Sequence, residues 1–241
     1  MEEISLVNVI EHAKAYPFPS PDHSYVFDSG RWYPLQTGDV ELGGRTPVLA
    51  AGSNQSPEQL SRKYANTPNF GPIPVIRGRL WDFDVVYAAH LAGYGSIPAT
   101  FQNSPGTKVE VFVAWFTEPQ LLRMHETESN YTFDRLIDFH LELDLGFVPK
   151  DIFAYSAKGG CYNHKGGCLS LSEIRASDRL FSSATQSEVQ TFLCERLAPI
   201  MEIENFIYEN ISDAVTRAGR VAGIQTDAIE IGYQREKLIS L

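Results

Sequence analysis

The chain has 241 residues, 43% of them hydrophobic and 21% charged, with a formal charge of −10 and a pI near 5.1. That balance is ordinary for a globular protein with ample core material, and it argues against broad electrostatic binding to nucleic acid or an anionic membrane. No apolar run approaches the ~20 residues of a membrane span, the acidic start "MEEISLVNVIEHAK" lacks a basic leader, and three cysteines do not make a disulfide framework, so a reducing cytoplasm is the expected setting.

Residues 4–14 have the pattern of a short helix. The segment "YPFPSPDHSYVFDSGRWYPL" follows, and its prolines at 17, 19 and 21 predict an irregular arm lying on the body. "TPVLAA" predicts a strand that stops at Gly52-Ser53-Asn54. A helix then restarts almost at once, with Ser56 as N-cap, Pro57 in the first position and Gln59 completing a Ser-x-x-Gln capping box. Leu60 and Tyr64 sit one turn apart on it.

"PVIRGRLWDFDVVY" predicts a long, bent strand with Gly78 as a bulge. "IPATFQ" leads through the turn "NSPGT" into "KVEVFVAWF", where Val109, Val111, Val113 and Trp115 line one face at period two. Thr117 and Gln120 repeat the capping-box spacing and start a second helix. Strands are predicted at 132–143, 151–157 and 168–174. The last sixty residues are helical in pattern. Thr185 and Glu188 box one helix with the stripe Val189, Phe192, Leu193 and Leu197. Ile203, Phe206, Ile207, Ala214 and Ala218 stripe the next. Strands first and helices afterwards predict an α+β fold. The expected organisation is a helix and proline-rich arm at 1–45, a β-rich body at 46–180 and C-terminal helices at 181–241 packed on the same domain.

Two stretches carry candidate chemistry. On a helical wheel of "EPQLLRMHETE", Leu121, Met124, His125 and Glu128 share one face with Leu122 at its edge, while Glu126 points elsewhere, beside Arg123 and Thr127. An inward Glu128 loses hydration, so its pKa should rise, and it becomes a candidate general acid or base. The bland alternative is a frayed helix end with Glu128 solvated. At Gly52-Ser53-Asn54, unpaired N–H groups before a helix offer an anion or oxyanion site, and glycine admits a ligand close to the backbone. The same residues also suit a plain strand-to-helix turn. Arg62, Lys63, Arg77 and Arg79 are the nearest cations in sequence, and solvated surface is their expected place.

Taken in order, "AAGSNQSPEQL", "SIPATFQNSPGTKVEVFVAWF" and "LLRMHETESNY" resemble the gamma-glutamylcyclotransferase-like family over roughly 47–175. The resemblance implies a small mixed β-barrel with flanking helices and a helical C-terminal region. It implies substrate contacts from Ala51, Gly52, Ser53 and Asn54 and acid–base catalysis by Glu128. The implied reaction is internal: the α-amine of a gamma-glutamyl group attacks its own γ-amide, giving 5-oxoproline and a free amine. The expected partner is thus a small gamma-glutamyl molecule, with no nucleic acid, membrane or cofactor; the oligomeric state is not readable. Ala51 stands where the family usually has Tyr, and Ser129 where Gly commonly follows the Glu. An amide- or acyl-transfer enzyme on the same fold, and a non-catalytic small-molecule binding module, are the alternatives.

Other constellations point to structure rather than chemistry. Cys161, His164 and Cys168 lack a fourth local ligand, so no metal site is expected and a glycine-rich loop is. His12, His23, His90 and His140 are expected on the surface or in the core. His125, one turn before Glu128, is expected to pack, with tuning of Glu128 as its other role. Trp32, Tyr33, Trp81, Tyr87 and Trp115 are expected to pack rather than to line a pocket.

Overall fold

A computed structural model describes residues 6–241 except 37, 39, 40, 66, 68 and 69. Its elements in chain order are α1 (Leu6–Lys14), β1 (Tyr25–Asp28), β2 (Arg31–Pro34), β3 (Thr46–Ala50), a 3-10 turn (Gly52–Gln55), α2 (Pro57–Tyr64), β4 (Ile73–Tyr87) and β5 (Ala99–Phe116). There follow α3 (Glu118–Glu126), β6 (Tyr131–Leu136), β7 (His140–Leu143), β8 (Phe153–Ala157), β9 (Leu169–Leu171), β10 (Ala176–Ser177) and β11 (Ser182–Ala184). The chain ends with α4 (Gln186–Leu197), α5 (Ile203–Ser212), α6 (Ala214–Gln225) and β12 (Arg235–Ser240).

The α+β class holds. One large mixed sheet runs β11-β9-β4-β5-β3-β8-β6-β12, with β1, β7 and β10 added along its long strands and β2 beside β1. β3 and β8 are parallel, as are β9 and β11; the other ladders are antiparallel. Among the described residues no ladder joins β11 to β12, so the sheet is open rather than closed. Among them also, no helix is long and apolar enough to cross a membrane.

β5 explains why helices cover both faces. Its period-two stripe Val109, Val111, Val113 and Trp115 is buried with Val189 and Leu193 of α4, Phe206 of α5 and Ile224 of α6. Phe112, Ala114 and Phe116 on the alternate positions are buried with Leu60 and Tyr64 of α2 and Met124 of α3. A strand apolar on both faces must be covered on both. Both predicted capping boxes at Thr117 and Thr185 form, the first with the Thr117 N–H donating to Gln120 Oε1 at 2.8 Å.

Several expectations fail for identifiable local reasons. The supposed irregular arm contains the β1–β2 hairpin, whose two-residue turn Ser29-Gly30 has both φ angles positive (48° and 78°), as a primed turn requires. The bulge in β4 lies between Trp81 and Phe83, opposite the Ser-Pro-Gly excursion of β5, with Asp82 at φ 62° and its Oδ1 accepting from the Gly106 N–H at 2.7 Å. Gly78 instead stays in register with Val111 and Leu143, and a Cβ there would strike the carbonyl oxygen of Glu142 on β7. The predicted strand 132–143 is split around Asp138, at φ 53°. The last helical stripe is two helices, because Asp213 Oδ1 accepts from the Val215 and Thr216 N–H groups and starts α6 afresh. Beyond them β12 returns to pair with β6, so the C-terminal region is not helical throughout.

Two alanine substitutions should shift stability in opposite directions. Gly78→Ala forces β4 and β7 apart and should cost about 1–3 kcal/mol. Gly219→Ala, in the exposed middle of α6 with nothing near its virtual Cβ, should add about 0.4–1 kcal/mol. Urea midpoints of the two variants against the wild type check both signs.

Candidate functional site

The turn after β3 answers the question its residue types raise. Ala50 ends the strand, and Gly52 at φ 58° lets the chain fold straight into a 3-10 turn. The Ser56 N–H donates to Ser53 O at 2.9 Å, so the Gln59 side chain has no N-cap group left to take. The expected capping box at Ser56 therefore does not form, and Ser56 Oγ is buried without a partner. Gln59 instead faces a cavity of about 170 Å³, which Ala51, Ser53 and Asn54 also line.

Close approach at Gly52 is real, but the approaching group belongs to the chain itself. A Cβ at Gly52 would collide with the hydroxyl of Tyr16, which lies in the turn two residues after α1 and is buried beside the Ser53 N–H. Tyr16 also accepts from the Ala99 N–H at 2.7 Å, and Tyr131 donates to Ala99 O at 3.1 Å. Burial raises the pKa of both phenols, so both remain protonated.

The helical wheel of α3 is half right about Glu128. α3 ends at Glu126, and Glu128 sits two residues beyond, in a tight turn where its N–H donates to His125 O at 3.1 Å. The helix has ended, as the bland reading has it, yet the residue is buried, 6% exposed, on the cavity wall. Its Oε1 accepts from Asn54 Nδ2 at 2.9 Å and from Lys63 Nζ in a buried ion pair. Its surroundings are thus not a bare apolar face: the ammonium compensates hydration lost on burial. Glu126 is exposed and paired with Arg123 at 2.7 Å.

Lys63 contradicts its expected place on solvated surface. It shares the inward face of α2 with Leu60 and Tyr64, at i and i+3/i+4 spacing, and is 9% exposed. That spacing was the available signal. Of the other nearby cations, Arg62 pairs with Glu58 at 2.8 Å on the outer face, Arg77 pairs with Glu110, and Arg79 is exposed.

The loop joining β4 to β5 supplies residues that spacing did not single out. His90 and Tyr94 both line the cavity. His90 is 4% exposed, its ring lies edge-on to Tyr131 at 5.2 Å, and its Nδ1 is buried without a partner. Burial pushes its pKa down to about 4, so the imidazole is neutral at pH 7. Tyr94, with the Ser53 side chain as hydrogen-bonding neighbour, is raised by burial to about 12. His125 faces elsewhere: its Nδ1 meets the Tyr155 hydroxyl at 2.9 Å and its ring packs edge-on against Phe133. Ala51, Ser53, Asn54 and Glu128 thus reach one cavity, while Gly52 shapes the turn behind them.

The cysteine-rich loop builds no comparable convergence. Gln102 Nε2 donates to Cys161 Sγ at 3.5 Å and Cys168 Sγ at 3.8 Å, whereas the His164 ring stacks on Phe192. Of the aromatics weighed for a pocket, Trp32 and Tyr33 are nearly half exposed on the β1–β2 hairpin, Trp81 stacks on His140, and Tyr87 and Trp115 are core.

A neutral, buried His90 makes stability depend on pH in a defined window. The unfolded chain takes up a proton near pH 6.5 and the folded one only near 4, so the contribution is present above pH 6.5 and is lost as pH falls toward 4. The loss over that window should approach about 3 kcal/mol. Urea unfolding at pH 7 and pH 4.5 should show a steeper decline for the wild type than for His90→Gln; equal slopes would mean that His90 protonates freely in the fold.

No protein-family model matches the sequence, and a search of curated proteins finds no match. Among solved structures, one described as gamma-glutamyl cyclotransferase is similar at the level of outline. It is 14% identical, with 79% of this chain and 94% of that one covered and a TM-score of 0.38. At that level the similarity says nothing about chemistry.

Proposed function

We propose that this chain is an enzyme of gamma-glutamylcyclotransferase type, converting the gamma-glutamyl group of a small amide or peptide to 5-oxoproline with release of an amine. One observation carries the reading. Asn54, on the loop after β3, hydrogen-bonds Glu128 across 74 residues of sequence, on the wall of one small cavity. The motif resemblance names these same two places, and a proton carrier beside an oxyanion loop is what the reaction needs from a protein.

In this reading the Glu128 carboxylate takes a proton from the substrate's α-ammonium. The freed nitrogen attacks the γ-carbonyl carbon, a C–N bond forms, and the carbonyl π pair moves to oxygen. Donors on the 51–54 loop hold that oxyanion. Its collapse breaks the old C–N bond as the departing nitrogen takes the proton held by Glu128. Glu128 then passes the ring nitrogen's second proton to the released amine, leaving a lactam N–H and an ammonium. Protons and atoms balance within the substrate and Glu128. The buried tyrosines around the cavity stay protonated and add no competing base.

Glu128→Gln keeps the shape and the contact to Asn54 but cannot carry a proton. Because it also strands the buried Lys63 ammonium, its circular dichroism spectrum and urea midpoint are measured beside the assay to show that it is folded. Release of 5-oxoproline from a panel of gamma-glutamyl amines and peptides should fall about a hundredfold or more, while Glu126→Gln, on the exposed side, should match the wild type. Equal rates in the two variants would remove Glu128 from the chemistry. Transfer of the acyl group to an added amine, with no 5-oxoproline, would replace cyclisation by acyl transfer.

A further inference from the structure

The cavity wall carries two ionisable side chains paired as cation and anion, Lys63 and Glu128, with side chains 9% and 7% exposed. Every other lining group is neutral at pH 7, including His90 and the tyrosines. The charges just outside are matched among themselves, Arg62 with Glu58 and Arg123 with Glu126. A singly charged ligand entering here would engage one member of the buried pair and strand the other, which costs several kcal/mol. A ligand bearing both charges on one carbon lets each side chain exchange its partner for another of the same sign.

We infer that the cavity reads the head group of an α-amino acid, with the Lys63 ammonium holding the α-carboxylate and the Glu128 carboxylate holding the α-ammonium. Asn54 favours this orientation. Its Nδ2 already donates to Glu128, and its Oδ1 is buried without a partner, an acceptor for a second ammonium N–H. Identifying that head group as the gamma-glutamyl one rests on the function proposed above; its charge pattern follows from the cavity alone. The assignment also bears on turnover. Cyclisation turns the ammonium into an amide nitrogen, so 5-oxoproline keeps the carboxylate and loses the cation, and Glu128 can then return to Lys63 only by displacing the product.

Ligand-observed NMR on the full chain tests this with three compounds of nearly equal size: L-glutamine, 4-aminobutanamide, which lacks the carboxylate, and glutaramic acid, which lacks the ammonium. Each trimmed compound should bind at least about tenfold more weakly than L-glutamine, since a charge-assisted hydrogen bond is lost. Lys63→Gln alone strands a buried carboxylate and can unfold, so the informative variant is the double Lys63→Gln/Glu128→Gln, which removes both charges together. It should lose at least about tenfold in L-glutamine binding and no longer rank the three compounds. Failure of the wild type to bind L-glutamine, equal binding of either trimmed compound, or unchanged binding in the double variant would each overturn the assignment. The same spectra report 5-oxoproline formed from gamma-glutamyl amides. Selective binding without that product leaves the head-group assignment standing and removes the cyclisation reading. Product formed without charge selectivity does the reverse.

Discussion

The contact on which the site depends is the buried ion pair between Lys63 and Glu128. Two charged side chains out of water cost several kcal/mol each unless they compensate one another, and here the cation comes from α2 and the anion from the turn after α3. The pair therefore ties the two helices that cover one face of the sheet, and Asn54 adds the loop after β3 to the same carboxylate. Three segments distant in sequence are held to one geometry by a single group. An ion pair of this kind is a costly way to stabilise a fold; it is better suited to a place where both charges have further work.

Around that pair the chain spends tyrosine hydroxyls on backbone groups. Tyr16 and Tyr131 take the two polar groups of Ala99, Tyr25 donates to Gln55 O at 2.8 Å, and Tyr64 donates to Gln120 O at 2.7 Å. Each ring fills the core while its hydroxyl satisfies a buried main-chain group, and none of them adds charge. Tyr16 has a second consequence. Because its hydroxyl occupies the space over Gly52, the N-terminal segment is part of the site's wall and the loop offers ligands its Ser53–Asn54 side.

The protein's overall charge and the site's charge differ in kind. The whole chain carries −10, yet the cavity holds one cation against one anion. Long-range attraction is thus a poor guide to what binds here, and complementarity at close range in a low-dielectric pocket decides it.

What the sequence determined by itself are the features written in short-range patterns. The capping boxes at Thr117 and Thr185, the period-two face of β5 and the turn opposite Asp82 follow from residues three or four apart or alternating along a strand. The pattern leaves Glu128 open between an inward face and a frayed end; α3 stops at Glu126, and the turn after it sets the residue on the cavity wall. The β1–β2 hairpin was equally local, signalled by Ser29-Gly30 but masked by the prolines before it. Encounters across many residues are set by packing instead. Lys63 meeting Glu128, Tyr16 lying over Gly52, His90 turned into the cavity and β12 returning to β6 leave no periodic trace. Even the lost capping box at Ser56 is of this kind in miniature: the neighbouring turn took its N–H first. Pattern fixes which face a side chain presents, and packing alone fixes what it meets there.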